Sequence, residues 1–354
     1  MTIINRYLAL QVFIGLVVAT AVILPAFAFL DLLDQLGDVG KGTYRVPDAF
    51  LHTALLLPRR FIQLAPFIAL LGTVFALGRL AVNLELTALR VAGLSPVRIS
   101  LAPLGVGLVL LLFIAVLEQF IAPHFQQKAI SHQATALGKT AELGKNLGIW
   151  TRDERNILRI GEMQGIKRAE NIELMHFDDN GFLLTYTHAQ HANILDDNLW
   201  ELNNVVTKTF TGEQIESVNA SSMNWKSFVN PGDISTLTKS PESLSPTELF
   251  QHVRFLRATG QEADAYALAL WRKMGGALTT IAMLLFSIPF VLGSVRTGLG
   301  KQVVLASLIG VGVYLLDQII ANAGLLLHLN PLLTALLPGL ALIALANLWL
   351  RRVF

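Results

Sequence analysis

Three long apolar runs, a polar middle and three more apolar runs make up the hydrophobic pattern of this chain. The runs are Leu8 to Leu30, Phe61 to Leu77, Ile99 to Ala122, Tyr266 to Leu292, Val303 to Leu327 and Pro331 to Leu350. About 20 consecutive apolar residues cross the hydrocarbon core as a helix, so each run predicts a span; the second is short but extendable at both ends. The expected fold is an α-helical membrane protein with six transmembrane helices, in 1–124 and 266–354. An all-β domain at 125–265 is expected between helices 3 and 4.

The polar middle alternates as strands do. Residues 156–164 ("NILRIGEMQ"), 172–178, 182–195, 199–210 and 221–229 are short strand-like runs separated by turn signals. "DDNG" at Asp178 to Gly181 is a good hairpin turn. So many strands in so short a stretch predict a sandwich or jelly roll with one wet face. Helices are expected on either side, at Gln126 to Leu143 and Ser245 to Gly260, the second with Ser245 as its cap and Pro246 in its first turn. The two triplets of apolar runs show no internal repeat.

Composition agrees with a membrane protein: 53% of the 354 residues are hydrophobic, 15% are charged, and the mean hydropathy is +0.55. A soluble chain carries about a quarter charged residues. With no cysteine, disulfides and thiolate metal sites are excluded. The N-terminal run lacks a small-residue cleavage site, which predicts a retained span.

Lys and Arg in the short connections set the orientation. Arg6, the group Arg79, Arg90 and Arg98, then Arg296 and Lys301, and finally Arg351 and Arg352 share one side if six spans alternate. The opposite short loop, Gly324 to Pro331, has neither residue type. Both termini are therefore expected in the cytoplasm and the β domain in the periplasm. The outer loop Asp31 to Arg60 departs from the rule with Lys41, Arg45, Arg59 and Arg60, partly offset by Asp31, Asp34, Asp38 and Asp48. Interfacial anchoring explains such cations, and so does capture of an anionic headgroup, because guanidinium groups match phosphate geometry.

The stretch "NLELTALRVAGLSP", Asn83 to Pro96, reads as a short helix stopped by Gly93 and Pro96. At 100° per residue, Asn83, Thr87 and Arg90 share one face, and Leu84, Ala88, Leu89, Val91 and Ala92 the other. Glu85 falls in the apolar face, where a carboxylate is costly without a hydrogen-bond partner. A helix lying on lipid has no use for it there. A helix inserting into the groove of a cytoplasmic partner does.

Other chemistries find little support. His188 and His191 fall on opposite faces of a strand, and His124 and His132 lack an acid to complete a cage. "GSVRTGLGK" at Gly293 to Lys301 lacks the spacing of a phosphate loop, so the chain is not expected to hydrolyse ATP. Asp317 is the deep intramembrane acid, and Glu118 lies near the outer end of the third span. An aspartyl protease needs two carboxylates sharing a proton, whereas a proton-coupled transporter needs fewer groups. A membrane-anchored scaffold remains the other alternative to a permease, though it has no use for Glu85.

The motifs "RYL" near the start, "LLDQLGDVGKGTY", "LAPFIALLGTVFALGRLA", "ELTALRVAG" and "EQFIAP", on the six-span plan, together resemble the LptF/LptG family of lipopolysaccharide export permeases, its LptG members more closely. The resemblance implies a non-enzymatic permease subunit of an ABC exporter in the inner membrane of a Gram-negative bacterium. Its implied partners are an LptF-type permease, two LptB-type ATPase subunits that bind the ATP, and the bridge proteins LptC and LptA. Lipopolysaccharide is the cargo, and neither a resident cofactor nor a nucleic-acid partner is implied. The family's coupling helix maps onto 83–93, with Glu85 as docking glutamate beside Leu86, Leu89, Arg90 and Ala92. Lys41 and Arg59 fit its substrate-contacting cations, with Arg60 adjacent, while Asp31 and Asp38 stand where some members are basic. Its first and fifth spans form lateral gates, which brings Asp317 close to the path.

Overall fold

The computed structural model describes the whole chain except residues 1–2, 138–148, 154, 165–167, 197–198, 212–213, 229–238, 260, 294–297 and 354. Its helices are α1 (Ile3–Leu36), α2 (Val46–Val82), α3 (Glu85–Val91), α4 (Pro96–Val116), α5 (Ala122–Ala136), α6 (Pro246–Ala258), α7 (Asp264–Gly293), α8 (Leu299–Leu326) and α9 (Pro331–Val353). A π-helical turn, Leu117–Ile121, joins α4 to α5 without a break. Six helical stretches are long and apolar enough to cross a membrane: α1, α2, Arg98–Ala136, α7, α8 and Pro331–Leu350.

The helices outrun the apolar stretches that announce them. α2 begins at Val46 rather than near Phe61, and α1 continues to Leu36. The expected loop Asp31 to Arg60 therefore shrinks to 37–45. Pro47 in the first turn of α2 suits a helix start, and Asp48 accepts from the Arg45 amide at 2.8 Å. Pro58 is accommodated inside the helix, so Arg59 and Arg60 are helical residues, not loop residues.

The chain divides into two compact units: residues 1–39, 45–130 and 264–354 form one, and residues 40–44 and 131–263 the other. The short segment Gly40–Tyr44 goes with the second unit because Thr43 donates its amide and hydroxyl to the Ala136 carbonyl at 2.7 and 3.0 Å.

In the first unit α1, α2 and α7 supply most of a continuous apolar core, including Leu8, Val12, Leu70, Val74, Leu77, Met283 and Phe290. Small residues let the helices approach closely, as packing in lipid requires. A Cβ on Gly15 of α1 would run into the Gly72 carbonyl of α2, and one on Gly275 of α7 into the Ala335 carbonyl of α9. α8 keeps much of its apolar surface outward, at Val304, Leu308, Val311, Leu315 and Ile319.

The second unit holds one antiparallel sheet of six strands: β1 (Ile149–Asp153), β2 (Asn156–Gln164), β3 (Arg168–Phe177), β4 (Leu183–Asp196), β5 (Leu199–Thr211) and β6 (Gln214–Lys226). Each strand pairs with its sequence neighbour, so the described strands make a meander without the crossovers of a Greek key. The ladder skips one pair at the same level in four successive interfaces: Gly161/Asn171, Asn171/Gln190, Gln190/Asn204 and Asn204/Ser221. Asn171 and Asn204 have φ of 54° and 53°, conformations that asparagine tolerates better than most residues. This transverse crease resets the inward alternation. Trp200 and Leu202 face the core before it and Val205 after it, as Ala189 gives way to Ala192 on β4. α6 begins as expected: Ser245 and Glu248 form a capping box, the Ser245 amide donating to Glu248 Oε2 at 2.8 Å. Burial alone would raise the Glu248 carboxyl. The hydrogen bonds from Ser245, with Lys239 nearby, outweigh it and hold the group below its ordinary value. Of the expected leading helix, Gln126 to Ala136 is present, and residues 138–143 lie outside the described residues.

Candidate functional site

Two polar constellations stand out in the helical unit. The first is the elbow between α2 and α4. Asn83 ends α2, and Leu84 turns the chain in the left-handed region with φ 60° and ψ 7° before α3 begins at Glu85. That turn changes the expected face assignment, because Asn83 and Leu84 precede the helix and do not share its phase. Leu86 is the buried residue of α3, and Leu89 is half-buried. Ala88, Val91 and Ala92 point outward with Leu84; Val91 is 84% exposed and Leu84 65%. The short helix therefore presents an apolar surface, with Arg90 and Thr87 also exposed.

Glu85 stands at the edge of that surface, and it already has partners. Tyr7 Oη donates to Glu85 Oε2 at 2.6 Å, and Asn83 Nδ2 to Oε1 at 3.4 Å. The carboxylate left unpaired by sequence reasoning is thus oriented by its own chain. Tyr7 was hidden because it lies 78 positions away in sequence.

The second constellation lies at the other end of the helices. Glu118, on the π-helical turn, accepts from Arg59 Nη1 of α2 at 2.8 Å and pairs with Lys273 Nζ of α7. The three side chains are 9%, 14% and 7% exposed in the order Glu118, Arg59, Lys273. Arg59 Nε and Glu118 Oε2 are buried without a further hydrogen bond. Arg60 grips Asp31 with two hydrogen bonds, Nε to Oδ2 at 2.5 Å and Nη2 to Oδ1 at 2.7 Å, in the fork geometry that favours Arg–carboxylate pairs. Asp317 accepts from Arg272 Nη2 at 2.9 Å. An intramembrane acid normally has such a partner, so Asp317 needs no second carboxylate to explain it. Lys41 is exposed and belongs to the second unit, whereas Arg59 and Arg60 belong to the first. Arg272 and Lys273 escaped the sequence reading, although two cations inside an apolar run are themselves a demand for buried anions.

His188 Nε2 lies 2.9 Å from Asn171 Oδ1, a partner that orients the ring. In Gly293 to Lys301, residues 294–297 lie outside the described residues, and Gly298 serves as the N-cap of α8.

Six helices long and apolar enough to cross a membrane, with an antiparallel sheet inserted after the third, define a multi-pass membrane protein with an inserted β domain. Residues 6–352 match the model of the family described as lipopolysaccharide export system permease LptF/LptG. The chain belongs to that family. It is 28% identical over 342 residues to the lipopolysaccharide export system permease protein LptG of Haemophilus influenzae, covering 96% of this chain and 95% of the relative. It is 27% identical over 351 residues to the protein of the same name from Escherichia coli K12, covering 98% and 97%. It is accordingly a multi-pass inner-membrane permease subunit of lipopolysaccharide export, of the LptG type.

Proposed function

We propose that this subunit pairs with an LptF-type permease and receives its driving force from two LptB-type ATPase subunits, which bind the ATP. The pair extracts lipopolysaccharide from the outer leaflet and passes it towards LptC and LptA through the β domain in the periplasm. The observation that carries the reading is α3: a seven-residue helix whose apolar side faces outward with Glu85 fixed at its edge. A helix of that kind suits insertion into a partner's groove, where the charge sets register and the apolar contacts supply affinity. Glu85, Leu86, Leu89, Arg90 and Ala92 form the coupling set, with Leu86 anchoring the helix to its own unit.

For the cargo, Arg59, Arg60 and Asp317 are the headgroup candidates of the helical unit, and Lys41 is a separate candidate in the second unit. Arg60 is the more accessible guanidinium, with its side chain 37% exposed against 14% for Arg59. A phosphorylated headgroup would compete with Asp31 for Arg60 before it could reach Arg59.

The orientation is tested by labelling. The native chain has no cysteine, so single cysteines report without background. Arg90→Cys should react with an impermeant maleimide only from the cytoplasmic side, and Asp179→Cys and His328→Cys only from the periplasmic side. Periplasmic labelling of Arg90→Cys would overturn the orientation and with it ATPase docking at α3.

A further inference from the structure

The first three turns of α1 carry Tyr7 and Gln11, one helical turn apart on one face. Beside them Leu8 and Val12 are fully buried in the same core that takes in Leu80, Ala81 and Leu86. Packing therefore fixes which way α1 turns, and its two polar side chains reach the elbow at two points. Tyr7 Oη donates to Glu85 Oε2 at 2.6 Å, and Gln11 Oε1 accepts from Arg79 Nη2 at 3.0 Å.

The elbow itself is a disfavoured piece of backbone. Leu84 holds φ 60°, a conformation that crowds its Cβ against the following carbonyl. Such conformations persist where surrounding contacts over-determine them, and they cluster at functional positions. Here burial of Leu86 holds α3 from one side, and the Tyr7 hydrogen bond holds its first residue. A carboxylate has about four acceptor positions. With one donor on each oxygen, Glu85 retains acceptor capacity for a docking partner.

We infer that Tyr7 is a positioning residue for Glu85: its hydroxyl sets the carboxylate at the edge of the apolar side of α3 before any ATPase arrives, and it ties α3 to α1. The inference rests on the docking reading above and adds a residue from another helix to it. A glutamate that must be immobilised on docking loses rotamer freedom, and fixing it beforehand improves affinity by roughly two- to tenfold.

Tyr7→Phe removes one oxygen and keeps the ring, at a position exposed enough for the fold to tolerate it. Two measurements test it. In the purified permease without ATPase, amide hydrogen exchange over Glu85–Val91 should speed up in Tyr7→Phe. With purified LptB-type ATPase, Tyr7→Phe should weaken binding roughly two- to tenfold, and should add nothing when Glu85 is already alanine. Unchanged exchange, or an equal loss in both backgrounds, would overturn the positioning role. Tighter binding would also overturn it, because Tyr7 would then be competing with the ATPase. If Glu85→Ala alone leaves ATPase binding intact, the docking reading fails, and the exchange measurement still decides whether Tyr7 orders α3.

Discussion

Glu118→Ala should destabilise the membrane-embedded unit by about 3–5 kcal/mol, the cost of removing one partner from a buried ion pair. The reason is the position of Glu118 between Arg59 and Lys273, both more than four-fifths buried. Removing the carboxylate takes away the acid that joins the cations of α2 and α7. Replacing a buried ion pair by apolar side chains can be neutral, but leaving one charge without its partner is not. Asp31→Ala provides the comparison. Its partner Arg60 is 37% exposed and within reach of water, so Asp31→Ala should cost clearly less than Glu118→Ala despite the forked contact. Thermal unfolding of the detergent-purified permease measures both. Equal shifts for the two variants would show that the Glu118 cluster is hydrated and not the lock between helices that its burial indicates.

Glu85→Ala should leave the permease folded and abolish most ATPase docking. The helix keeps its apolar surface, its anchor Leu86 and Arg90, while losing its acid. Truncating one partner of a buried charged hydrogen bond across an interface costs about 2–5 kcal/mol. Binding of the LptB-type ATPase, and ATP turnover stimulated by the permease, should fall accordingly. Thr87→Ala is the control, since Thr87 is exposed on the same helix and carries no charge. Similar losses from both substitutions would remove the special role of Glu85.

The membrane plan was legible in sequence because apolar run length is a strong signal and needs no tertiary information. All six runs became spans, and β2 occupies the residues expected of it, Asn156–Gln164. The first half of β6 escaped because an exposed edge strand has no apolar face to alternate; Gln214 to Ser222 are all exposed. β1, five residues long, was equally silent. The crease across the sheet is written in Asn171 and Asn204, yet single asparagines in strands do not announce a positive φ.

The candidate site was legible in kind and not in contact. Glu85 was identifiable as an acid out of place, but the wheel that singled it out assumed one continuous helix. A left-handed Leu84 broke that phase, and no residue preference marks leucine for such a turn. The outer cations were identifiable from their conflict with the orientation rule. Their acids lie 59 positions from Arg59 and 29 from Arg60, distances that no local pattern spans. Consequently the headgroup proposal changes shape: Arg59 and Arg60 hold internal partners, with which an anionic lipid would have to compete.

Gentle solubilisation of native membranes containing a tagged copy of this chain, followed by identification of every bound protein and lipid, tests the central claim most directly. The account predicts a second permease of the same family, an ATPase subunit in twofold amount and lipopolysaccharide, with the ATPase alone missing from the Glu85→Ala sample. Recovery of the chain with periplasmic proteins but with neither an ATPase nor lipopolysaccharide would contradict it, and would make the protein a scaffold built on its β domain.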